Sequence, residues 1–127
     1  MKSGVPVAPQ AGRDRVVTIA MMVVRTGFVA AAVLGIGMMF HLWSRGQVVP
    51  FHMLIGAVTL VGMLVTAVRV IMLGKVTALM LGAGLLLGTG SAVGVLLDAA
   101  PGLLHFLLMV LAVGFAEINA ALLKRAR

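Results

Sequence analysis

The chain contains no cysteine, which excludes disulfides and thiolate metal sites from the start. Acidic residues are almost as scarce: Asp14, Asp98 and Glu117 are the only three, far apart in the sequence. No pair of carboxylates for acid–base hydrolysis and no Ser/His/Asp set can be assembled from them. Charged residues make up 10% of the 127 residues, whereas a soluble domain carries about a quarter. No GxxxxGK[ST] phosphate loop occurs, and no GxGxxG follows a strand. The stretch GAGLLLGTG (82–90) lies inside an apolar helical run, where backbone N–H groups are already used, so it cannot cradle phosphate. Few polar residues line any face, which argues against hydrophilic transport.

What remains is apolar. Hydrophobic residues are 62% of the chain. Four runs carry no charge: 26–44, 51–68, 76–97 and 99–116, the last continuing past Glu117 to Leu123. A bilayer-crossing helix needs about 20 apolar residues, so the sequence predicts four spans, about 18–43, 51–72, 76–97 and 102–123. They use nearly the whole chain, leaving a tail of residues 1–15 and a transmembrane domain of 16–127. The tail is rich in proline, glycine and small residues and reads as a mobile segment. A cleaved signal peptide fits poorly, because the first apolar run is too long.

The net charge of +7 does not point to nucleic acid, because the cations punctuate apolar runs and build no basic face. They orient the spans instead. Lys2, Arg13, Arg15, Arg25, Arg69, Lys75, Lys124, Arg125 and Arg127 fall on one side of a four-span topology, and only Arg45 falls on the other. The positive-inside rule then places both termini in the cytoplasm of a bacterial-type inner membrane. The links at 44–50, 74–75 and 98–101 are short, so sequential helices are antiparallel neighbours. The expected fold is an all-α, up-down-up-down four-helix membrane bundle. Pro50 and Pro101 are expected just ahead of helices two and four, with Asp98 capping the latter. In helix three, Gly84, Gly88 and Ala92 recur every four residues, and Gly90 and Gly94 do so on a nearby face. Such rows let helices approach closely in lipid, or leave room for a flat cofactor.

The three histidines are His41, His52 and His105. The topology places all three at similar depth near the outer side. On helix two, His52, Gly56, Thr59, Met63 and Thr66 share a small, weakly polar face. On helix four, His105, Met109, Ala112 and Ala116 do the same, and on helix one His41, Gly37 and Leu34 line up. An ionisable or metal-binding group in a membrane helix is a functional candidate. Three readings compete. Two histidines from different helices can ligate haem iron axially; His41 with His105 is the preferred pair, His52 can replace either, and Arg45 and Trp43 would meet the propionates. A copper site would add the thioethers of Met38, Met39 and Met53. Alternatively, histidine, tryptophan and arginine at a helix end are interfacial anchors with no ligand.

The inner half holds a second constellation. Arg25, Arg69 and Glu117 each lie one to two turns inside the boundary, where an unpaired charge costs about 2.5–3.5 kcal/mol. A salt bridge from Glu117 to Arg25 or Arg69 is the economical arrangement. It would brace helix four, or serve as a proton relay or a partner to a quinone headgroup with Asn119 nearby.

Four membrane helices with histidines near one interface resemble b-type cytochrome membrane bundles, and especially one half of haem A synthase. The separation of His41 and His105 is similar to that between paired ligands in that family. PFHMLIGAVTLVGM (50–63) resembles its helix starts. Leu42 and Phe106 follow the two histidines where the family often has arginine. The resemblance therefore implies haem b binding and electron transfer, with quinone or a redox partner, more than substrate oxidation. The rival expectation is a non-catalytic structural subunit that packs against another membrane protein or a second copy, its glycine rows facing the partner.

Overall fold

In the computed structural model, residues 15–72, 78–96 and 102–125 are described. Four helices account for almost all of them: α1 (Arg15–Met39), α2 (Arg45–Met72), α3 (Ala78–Leu96) and α4 (Gly102–Arg125). No strand occurs among the described residues. Three helices are long and apolar enough to cross a membrane: α1, α2 and the Gly102–Ala121 part of α4. The 19 residues of α3 span about 28 Å at about 1.5 Å per residue, close to the hydrocarbon thickness of about 30 Å. The tail at 1–14, the link at 74–75, the capping role of Asp98 and the position of Pro101 lie outside the described residues.

The turn between α1 and α2 is shorter than the 44–50 link expected, and local chemistry explains why. α1 closes with a Schellman motif. The Leu42 N–H donates to the Gly37 carbonyl at 2.9 Å and the His41 N–H to the Met38 carbonyl at 3.3 Å. His41 sits in the left-handed position of that motif, with φ 55°. Ser44 then starts α2 at once. It precedes Gln47 by three residues, the capping-box spacing, and the two side chains bond each other at 3.0 Å. Gln47 and Val48 N–H groups both donate to the Ser44 carbonyl at 3.3 Å. Pro50 therefore stands inside α2 and not ahead of it. Its missing N–H leaves the carbonyl four residues back, that of exposed Gly46, without its helical donor.

The helices pack as two antiparallel hairpins. In α1–α2, Gly35 lies against His52, Gly27 against Thr59, and Gly62 against Val24 and Ala20. In α3–α4, Ser91 meets His105, Gly88 faces Ala112 and Met109, and Gly84 faces Phe115 and Ala112. Gly84 is required for close approach: a Cβ there would lie 3.0 Å from the Phe115 Cβ and 3.1 Å from the Ala112 carbonyl oxygen. The hairpins join along α2–α3 and α1–α4, while α2 and α4 meet across the diagonal. One core holds them together: Val17, Met21 and Val24 of α1, Met63, Ala67 and Val70 of α2, and Ala112, Ala116 and Ala120 of α4. Thr59 and Thr66 are also fully buried, their hydroxyls donating to the Ile55 and Gly62 carbonyls four residues back. The large apolar side chains largely face outward, with Leu86 76% exposed and Phe51 64%. Such a surface suits lipid and not water.

Candidate functional site

Two of the three histidines come together. The ring centroids of His52 on α2 and His105 on α4 are 6.1 Å apart, with the rings inclined at 68°. Hairpin register puts them there. His52 lies against Gly35 of α1, and its Nδ1 donates to the Ala31 carbonyl at 3.0 Å. His105 is held from α3 by Ser91, which is 3% exposed; Ser91 Oγ lies 2.6 Å from His105 Nδ1 and donates to the His105 carbonyl at 3.2 Å. A serine has one hydroxyl proton. Where the Ser91 proton goes to the His105 carbonyl, His105 Nδ1–H donates to Oγ and Nε2 keeps its lone pair, as in His52; where it goes to Nδ1, Nε2 carries the proton. A second-sphere acceptor on Nδ1–H fixes a ligating imidazole in the first of these ways.

His41 takes no part. It is exposed, beyond the end of α1. The expectation that it faces His105 from inside is not met, because the chain reverses at its left-handed φ. The inward stripe on α1 stops at buried Gly37, whereas the stripes on α2 and α4 run on through Thr59, Met63 and Thr66, and through Ala112 and Ala116, all buried. Of the three histidines, His52 and His105 lie side by side and His41 stands apart from them. Trp43 folds back over α1, its indole ring against Gly37 and its Nε1 donating to the Leu34 carbonyl at 3.4 Å. Arg45 is exposed at the first position of α2. Among the described residues no group of three His, Asp or Glu side chains is placed to hold a metal ion.

The 6.1 Å separation and 68° inclination are those of an edge-to-face ring contact. Of the methionines expected for a copper site, Met38 is partly buried and Met39 and Met53 are exposed.

At the other end, Arg25 of α1 grips Glu117 of α4. Nε lies 2.5 Å from Oε1 and Nη2 lies 2.7 Å from Oε2, a two-pronged contact suited to the planar guanidinium. Arg69, the other arginine weighed for this pairing, is partly buried near the end of α2. Asn119 is fully buried. Its Nδ2 donates to the Phe115 carbonyl at 2.7 Å, and its Oδ1 has no partner among the described residues.

Ser91 and the Ala31 carbonyl are the contributors that residue types alone do not announce. A signal for Ser91 exists: 91 and 105 are equidistant from residue 98, so an antiparallel hairpin turning there brings them level. Compared with known proteins, the chain matches no family model, no curated protein and no solved structure.

Proposed function

We propose that the protein is an inner-membrane four-helix bundle that holds haem b between His52 and His105 and passes electrons between a quinone and a redox partner. The observation that supports it is the histidine pair itself: two rings from diagonal helices, each oriented through Nδ1, with centroids 6.1 Å apart. His52 and His105 would hold the iron. The Ala31 carbonyl and Ser91 would orient the two rings through Nδ1, and Arg45, beside the same end, would be available to an anionic edge of the ligand. A haem so held supplies one-electron chemistry.

The cation distribution supports cytoplasmic termini, with the histidine end at the outer face. The exposed apolar surface supports lipid on every side that no partner covers. The test is direct. The protein is expressed with haem supplied, purified in mild detergent, and examined by visible spectroscopy and metal analysis. A Soret band with iron in stoichiometric amount is expected. A colourless protein without iron overturns the haem reading, and copper in place of iron transfers the pair to the alternative metal.

A further inference from the structure

Asn119 is the chain's single asparagine, and it is fully buried on α4. Its Nδ2 donates to the Phe115 carbonyl at 2.7 Å, whereas its Oδ1 has no donor among the described residues. A buried amide oxygen left without a donor costs about 1–3 kcal/mol. Ala67 of α2 and Ala116 and Ala120 of α4 belong to the same core. Their side chains end at Cβ and offer no hydrogen bond. The hydrocarbon outside the bundle offers none either.

Helix register brings Thr66 of α2 to the same level. α2 and α4 run the same way: His52 meets His105, and Gly88 of α3 lies against both Leu60 and Ala112. Thr66 is fourteen residues beyond His52, and Asn119 is fourteen beyond His105. Fourteen residues make close to four helical turns, about 21 Å, so both side chains return to the face that carries the histidines. Thr66 is fully buried as well, and its hydroxyl proton goes to the Gly62 carbonyl at 2.9 Å. Its oxygen is thereby left as an acceptor. Two acceptors on diagonal helices match the two hydrogens of one water, which needs at least two polar partners in an interior. A cation would also need a countercharge, and Glu117, the acidic residue among the described residues, is engaged by Arg25. We propose that Asn119 Oδ1 and Thr66 Oγ1 hold an internal water that ties α2 to α4 in the half of the bundle away from the histidines. The site stands apart from the haem reading and survives its failure.

The single asparagine makes the test clean. Protein made with isotope-labelled asparagine and held in mild detergent gives one labelled side-chain carbonyl band in the infrared and one side-chain amide pair by NMR. The band is expected at a hydrogen-bonded frequency, and the amide protons are expected to show a cross-peak to water. Thr66→Val is expected to abolish the cross-peak and to raise the band to that of a free amide. Thr59→Val, the same change at another fully buried threonine, is expected to alter neither. A free-amide band in the unaltered chain overturns the proposal, as do equal effects of the two valines. A hydrogen-bonded band without a water cross-peak also overturns it, because the donor is then within the protein. So does a response of these signals to replacing sodium by choline, because the occupant is then an ion. Should Thr66→Val fold poorly, the band and cross-peak of the unaltered chain carry the test by themselves.

Discussion

Replacing His41 by glycine separates a capping residue from a ligand. His41 has φ 55° at the left-handed position that ends α1. A residue with a Cβ pays about 1–2 kcal/mol there. Glycine removes that cost but adds unfolded-chain freedom worth about 0.5–1 kcal/mol. The balance predicts that His41→Gly stabilises the protein by about 0.5–1 kcal/mol. For a chain of this size that raises the Tm by roughly 2–6 °C. Thermal unfolding followed by circular dichroism in mild detergent reads the shift, with His41→Val as the opposite control because a β-branched residue fits the left-handed region worst. Destabilisation in His41→Gly, or a Tm order with valine above glycine, would refute the capping account.

Ser91→Ala removes the side-chain partner of His105 Nδ1 and is expected to lower cofactor occupancy by about 10–100-fold with the helices intact, read by haem titration and circular dichroism. Gly84→Ala is expected to cost about 1–3 kcal/mol, since the new Cβ meets backbone and Cβ atoms of α4. Gly90→Ala, facing open space, should be stabilising by about 0.5–1 kcal/mol; equal effects at the two glycines in thermal melts would contradict the packing described. Ser44→Ala removes the bond from Ser44 Oγ to Gln47 Oε1 at an exposed turn and should destabilise by about 0.5–1.5 kcal/mol, measured in the same way.

The helices were legible because lipid imposes a crude requirement, an apolar run of sufficient length, and these runs satisfy it with little else in the chain. The antiparallel hairpins followed from short links. The histidine pair was legible only in part. Depth along a helix can be counted from the sequence, so His52 and His105 belong to one level. Azimuth past the end of a helix cannot be counted. His41 stands two residues beyond Met39, where a Schellman reversal takes over from the helical period, and the stripe through Leu34 and Gly37 no longer predicts its direction. The cap was visible in outline as Ser44 followed by Gln47, a spacing that outranks Pro50 as the start of α2. The choice of Arg25 as the residue gripping Glu117 depends on which hairpin edges meet. That is a property of packing between α1 and α4 that charge alone does not fix.

The central claim is that His52 and His105, and not His41, form the site. Visible spectra of haem-supplied protein carrying His52→Ala, His105→Ala or His41→Ala test it most directly. The account predicts that the Soret band survives in His41→Ala and disappears in each of the other two. A band that survives in His52→Ala, or one lost in His41→Ala, would contradict it.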